Sequence, residues 1–160
     1  MPMTLTSPAF ADGGEIPTTF TCEGADRSPA LVFAGVPPEA RSLALLVDDP
    51  DAPDPKAPQR IYTHWVLYDM PPDAGGLPEA VKPAALPPGT RQGTNDWRRT
   101  GWGGPCPPIG RHRYYFTLFA LDAPLGDRGP LGRKELLAAV EGHVVAQAQL
   151  LGTYQKHMQR

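Results

Sequence analysis

The chain has 160 residues, 41% of them hydrophobic and 20% charged, with 15 basic and 17 acidic side chains and a formal net charge of −2. This fits one soluble domain long enough for a real core, and the lack of a basic excess or polybasic run excludes nucleic acid and anionic membranes as expected partners. The 21 prolines and 17 glycines argue for short strands and ordered loops rather than long helices.

In chain order, the start MPMTLTSPAF has no basic residue and no apolar stretch of signal length. Neither a secretory leader nor stable membrane insertion is expected. Residues 1–30 read as loop with short extended pieces at Thr4 to Ser7 and Thr18 to Thr21. PALVFAGVPP reads as a strand closed by a Pro-Pro turn. RSLALLVDD reads as a buried strand ending at Asp48-Asp49, with Leu43, Leu45, Val47 and Asp49 on one face and Ala44, Leu46 and Asp48 on the other. PDAPDPKAP is expected to continue no strand, because its prolines remove donors and fix φ. RIYTHWVLYDM is the next strand. Strict alternation puts His64 with Tyr62, Val66 and Tyr68, and Trp65 opposite. Residues 71–100 form a long Gly- and Pro-rich excursion, a length usually functional or disordered. RHRYYFTLFALD is a strand covered on both faces, with His112, Tyr114, Phe116, Leu118 and Ala120 together on one of them. LGRKELLAAVEGHVVAQ has helical spacing through Leu136, Leu137, Val140 and Val144, and AQLLGTY reads as a closing strand.

Three segments bring functional-type residues to strand ends: Asp49 and Asp51 in DDPDAP, His64 within an apolar strand, and His112 with Tyr114 two residues on. The last two share a face, with Cα atoms roughly 6.5 Å apart. If these strands are neighbours, an aspartate, two histidines and a tyrosine line one pocket suited to a small anion, since imidazole and phenol donate to phosphate or carboxylate oxygens. Gly103 and Gly104 are expected to offer open backbone N–H groups, in a loop shaped beforehand by its prolines. Pairing with a histidine, which keeps the ring cationic, suits the aspartate better than facing an anion alone.

Taken singly, these residues have plainer readings. His64 fits a hydrogen-bonded core histidine, DDPDAP a turn, Trp65, Trp97 and Trp102 packing, and His143 helix surface. Cys22 and Cys106 are expected as reduced thiols of a cytoplasmic protein, with a disulfide as the alternative; Cys106 reads as buried filler with no base beside it. No HExxH, GxSxG or Walker-type loop occurs, and no serine has a triad context, so neither a metal nor another cofactor is expected.

Together, DDPDAP, THWVLYDMP and GTNDWRRTGWGGPCPPIGRHRYYFTLFALD resemble the phosphatidylethanolamine-binding proteins, which include the Raf kinase inhibitor protein. FTCEGADRSPALVFAGVP and ELLAAVEGHVVAQAQLLGTY resemble the bacterial branch. The resemblance runs from about Ser7 to Gln155. It implies a mainly β fold, with a large antiparallel sheet packed with a smaller one and one or two short helices near the C-terminus. It also implies an anion pocket of Asp49, His64, Gly104, His112 and Tyr114, shaped by Asp51, Pro53, Gly103, Pro105 and Pro107, and a cis bond at Ala52-Pro53. Departures are Trp102 where a tyrosine is usual, Phe33 where a tryptophan is usual, and GADRS where relatives often carry an asparagine. The implied function is binding of a small anionic or phosphorylated ligand, with regulation of a kinase or protease as the partner-level form and a homodimer as an allowed assembly. A hydrolase using a pocket histidine as general base is the alternative, ranked behind because no nucleophile is evident.

Overall fold

The alternating apolar runs of the sequence become the strands of two sheets. The computed structural model describes residues 2–157. Its strands are β1 (Thr4–Thr6), β2 (Gly14–Glu15), β3 (Leu31–Ala34), β4 (Ser42–Ala52), β5 (Arg60–Met70), β6 (Gly76–Leu77), β7 (Arg91–Gln92), β8 (His112–Leu121) and β9 (Val144–Tyr154), with one helix, α1 (Arg133–Val140), before the last. The small sheet runs β1-β3-β6 and the large one β2-β9-β8-β4-β5-β7. All pairs are antiparallel except β2 with β9, which is parallel.

The large sheet is buried on both faces, which is why β4 and β8 carry apolar residues at successive positions. Leu43, Leu45 and Val47 of β4, Trp65 and Leu67 of β5, and Phe116 and Leu118 of β8 pack against Leu5, Leu31, Phe33 and Leu77 of the small sheet. On the other face, Ala44, Leu46, Val66, Tyr68, Phe119 and Leu121 are covered by Leu131, Leu136 and Val140 from the helical segment. The molecule thus has three layers: small sheet, large sheet and helix.

Several expectations are corrected. Thr18–Phe20 is a 3₁₀ turn rather than an extended piece. β4 does not stop at Asp49. It continues through irregular pairing to Ala52, whose partner is Arg60, so Pro50 sits in a distorted strand end where its missing donor is tolerated. The helix ends at Val140, and the residues from Val144 onward are strand. Gly142, at φ +81°, breaks the chain out of the helix in the left-handed region, and His143 bonds Asp122 through Nδ1 (2.8 Å) from the turn instead of lying on a helix.

Candidate functional site

β4 is antiparallel to both β5 and β8, so the end of β4 meets the beginnings of the other two at one corner of the sheet. Asp49, His64, His112 and Tyr114 arrive there, each at most 3% exposed.

Alternation alone would not deliver His64. Val47 pairs with Trp65 but Asp48 pairs with Thr63, so His64 is an extra residue with no partner across the ladder. The bulge breaks the period of two. Trp65 stays on the face of Val47, and Tyr62 lies opposite Asp49. His64 is turned to the Asp49 side, away from Val66 and Tyr68, which corrects the face expected for it. Two reciprocal pairs of hydrogen bonds hold the bulge. The Thr63 N–H donates to Asp96 Oδ2 (2.7 Å) and the Asp96 N–H to the Thr63 carbonyl (3.0 Å). His64 Nδ1–H donates to the Gly103 carbonyl (2.7 Å), and the Gly103 N–H returns to the His64 carbonyl (3.0 Å). Buried Asn95 braces the same loop, accepting the N–H groups of Trp97 and Arg99 and donating to the Gly101 carbonyl.

His112 is held at both ring nitrogens. Nδ1 donates to Asp49 Oδ2 (2.6 Å), and Nε2 donates to the carbonyls of Ile109 (2.9 Å) and Pro53 (3.1 Å). Burial works against the charged ring, but the hydrogen bond and charge of Asp49, with the two carbonyls, outweigh it and raise its pKa. The second Asp49 oxygen accepts the Asp51 N–H (2.7 Å). His64 moves the other way. Burial pushes it down to about 4, against the Gly103 carbonyl and the charges of Asp49 and Asp96. Its ring is neutral near pH 7, with the proton on Nδ1. Burial, then the charges of Asp49 and Asp51, drive the Tyr114 phenol upward, so it stays protonated.

A cavity of about 240 Å³ opens over these side chains. Asp49, His64, His112 and Tyr114 form its floor. Pro53, Pro107 and half-buried Tyr62, Trp97 and Cys106 wall it, and exposed Arg60 and Pro108 stand at the mouth. The Arg60 guanidinium lies 5.3 Å from the centroid of the Tyr62 ring. The His64 ring meets Tyr62, Trp97 and Tyr114 edge to face at 5.5, 5.1 and 5.1 Å. Among the described residues, three buried side-chain polar atoms make no hydrogen bond of good geometry, His64 Nε2, Thr90 Oγ1 and Tyr114 Oη; His64 and Tyr114 belong to this lining, and the Asp49 carboxylate lies near enough to the Tyr114 hydroxyl to favour its protonated form.

The glycine loop does a different job from the one expected. The Gly104 N–H donates to Asp26 Oδ1 (2.8 Å) and the Gly103 N–H is bonded to His64, so neither is open to a ligand. A Cβ at Gly103 would run into the Trp97 ring, and one at Gly104 into the Phe20 carbonyl and the Asp26 carboxylate. Close packing behind the pocket is what needs glycine here. Pro105 is also behind the wall, its carbonyl accepting the Cys22 N–H (3.2 Å). Asp51 faces away, in a two-pronged pair with Arg113 (2.9 and 3.0 Å) that lowers its pKa. The Ala52–Pro53 bond is cis. Trp102 packs on Trp65 and Phe116 in the core rather than at the pocket rim.

Cys22 and Cys106 form a disulfide, with Cα atoms 5.4 Å apart. The expectation of reduced thiols is therefore wrong, and the cysteine argument for a cytoplasmic location goes with it.

The profile of the family described as phosphatidylethanolamine-binding protein matches residues 6–155. The chain belongs to that family. A UPF0098 protein of Methanothermobacter thermautotrophicus is 48% identical over 155 residues, spanning 96% of this chain and 99% of that one. Among solved structures, the phosphatidylethanolamine-binding protein homologue CT736 of Chlamydia trachomatis is 41% identical at a TM-score of 0.88, covering 97% of this chain and 98% of its own. E. coli YbcL, named as a member of the mammalian family, is 29% identical at 0.87, covering 98% and 99%. The mainly β, two-sheet fold with one short helix is the fold of these phosphatidylethanolamine-binding proteins. Of the site residues that the family resemblance implied, the fold brings Asp49, His64, His112, Tyr114, Pro53 and Pro107 to one cavity and leaves Gly103, Gly104, Pro105 and Asp51 outside its lining. Sequence reasoning missed Arg60, Tyr62, Trp97 and Pro108. Arg60 and Tyr62 carried a signal, standing at the strand end next to His64, whereas Trp97 reaches the pocket only through loop packing that no periodicity encodes.

Proposed function

We propose that this corner pocket binds a small oxyanion or phosphorylated headgroup and that the protein is a binding module rather than a catalyst. The observation that carries the reading is the pair of buried atoms without a hydrogen bond of good geometry, His64 Nε2 and Tyr114 Oη, lining one cavity. Buried polar groups left without a well-made bond are costly, and two of them at one cavity fit a missing ligand. About 240 Å³ suits a phosphoryl group with a short substituent, and Arg60 supplies a cation at the entrance. Binding is favoured over turnover because Cys106, the thiol position in the lining, is consumed in the disulfide. Control of a kinase or protease, as the partner-level form of this proposal, would act through occupancy of the same pocket.

Calorimetric titration with phosphate and phosphorylethanolamine tests it. His64→Ala and Tyr114→Phe are each expected to weaken binding about 10- to 100-fold, the usual loss of a hydrogen bond to a charged group. Saturable binding that neither change affects would remove the pocket from consideration. Turnover of a phosphoester panel that disappears in His64→Ala would replace the binding reading with the general-base one.

A further inference from the structure

The bridge between Cys22 and Cys106 is not a buried staple. Cys22 is exposed, whereas Cys106 is half-buried between the buried prolines Pro105 and Pro107 and lines the corner cavity. Three hydrogen bonds hold the same two segments together. Trp102 Nε1–H donates to the Phe20 carbonyl (3.2 Å), the Cys22 N–H to the Pro105 carbonyl (3.2 Å) and the Gly104 N–H to Asp26 Oδ1 (2.8 Å). Opening the bridge therefore leaves the segments docked. What it releases is the Cys106 side chain, because Pro105 and Pro107 stiffen the backbone around it while χ1 becomes free. The two sulfurs also differ in access. A thiolate must reach the sulfur that it attacks, and exposed bridges are the ones that exchange readily. Cys22 meets solvent, and Cys106 is screened by its buried proline neighbours and the cavity wall.

We infer that Cys22 is an exchange site for a low-molecular-weight thiol, and that opening the bridge there delivers a free Cys106 thiol into the wall of the corner cavity. The small thiolate forms a bond to Cys22 Sγ, the Cys22–Cys106 bond breaks, and its electron pair leaves on Cys106 Sγ. A second small thiolate then attacks the small-molecule sulfur of the mixed disulfide and frees Cys22, so the thiol is oxidised to its disulfide as the bridge is reduced. The bridged cavity has a neutral sulfur in its wall. The opened one has an ionisable group, with an ordinary thiol pKa of about 8.5, free to turn over the floor. The charged and titratable groups that line this cavity are Asp49 on β4, Arg60, Tyr62 and His64 on β5, and His112 and Tyr114 on β8. Glu23 and Asp26 belong to the segment on the Cys22 side. The exchange stands whether or not the cavity binds an anion; its effect on affinity rests on the proposed function.

The test incubates the whole bridged protein, without denaturant, in a glutathione redox buffer. Samples taken over time are quenched with acid, and free thiols are blocked with N-ethylmaleimide. Tryptic cleavage after Arg27, Arg99 and Arg111 puts the two cysteines on separate peptides for mass spectrometry. The first adduct is expected to carry glutathione on Cys22 and the blocking group on Cys106. Glutathione arriving first on Cys106, or a bridge that opens only once denaturant unfolds the chain, overturns the inference. A second readout compares Cys22→Ser, which leaves Cys106 as a free thiol, with the double variant Cys22→Ser/Cys106→Ser. Both lack the bridge and share every other titratable group, so a purely structural loss moves them alike. From about pH 7.5 to about pH 9.5, across the ordinary thiol pKa, phosphorylethanolamine affinity is expected to fall at least about threefold further in the single variant, as one added like charge in the wall requires. Parallel pH profiles overturn the placement of the thiol in the cavity. Absence of phosphorylethanolamine binding by the bridged protein removes the proposed function instead, and the peptide map then decides the exchange site by itself.

Discussion

Both ring nitrogens of His112 are taken in this structure, Nδ1 by Asp49 and Nε2 by the carbonyls of Ile109 and Pro53, so the ring fixes the position of Asp49. Removing it leaves a buried carboxylate without its counter-charge, and His112→Ala is expected to cost about 3–5 kcal/mol in urea unfolding. The two histidines also set opposite pH slopes. His112, with its pKa raised, contributes stability that is whole below its ordinary value of 6.5 and is lost as the pH rises through the raised value. His64 is the reverse. The folded ring titrates at about 4 against 6.5 in the open chain, so its contribution is present above 6.5 and disappears as the pH falls toward 4. The size is about 3 kcal/mol. Unfolding free energy measured from pH 7 to 4 should show this loss, and His64→Phe should flatten it; an unchanged slope in that variant would refute the assignment. The residue types of this site were legible in the sequence, and so was the Asp-His pairing. The state of each imidazole was not, because it depends on which carbonyls the loop brings to the ring.

At the scale of the element, β5 places the site through a fault in its own regularity. Its eleven residues were visible as a strand from Arg60 to Met70, yet a period of two sends His64 to the helix-covered face. The bulge that corrects this is stabilised from outside the strand by Asp96, the residue before Trp97, in a loop whose course has no sequence period. Asp96 lies outside the cavity lining. Asp96→Ala is expected to destabilise by about 1.5–3 kcal/mol, the range for a hydrogen bond to a charged group. It should also weaken phosphate binding by letting His64 swing back. Calorimetry on the variant at a temperature where it is fully folded separates the two effects, and unaltered affinity there would mean the bulge is held by the Gly103 pair alone. The same dependence on breaks explains the helix. The apolar spacing through Val144 suggested a longer one, but Gly142 and the β-branched pair that follows it decide for strand.

The whole molecule is organised around one covered sheet, and that much followed from strands apolar on both faces. What the sequence left open was the joining of its distant parts. Cys22 and Cys106 are 84 residues apart, and closing a loop of that length is worth about 4–5 kcal/mol in the chain-entropy account. Reduction, or a Cys22→Ser/Cys106→Ser double variant, should lower the unfolding free energy by that order in denaturant titration. Losing less than about 1 kcal/mol would show that the reduced chain keeps the loop closed without the bond. Because Cys106 is itself a wall of the cavity, the covalent tie reaches the candidate site directly. It also changes what a cut means. β3 to β7, and with them the whole bracing loop, lie between the two bridged positions, so a protease that opens this stretch once makes two fragments that remain a single covalent body. Such a nick would add only one water to the intact mass and leave the fragments joined on a gel until a reductant is added, and the pocket could outlive the continuity of its own backbone.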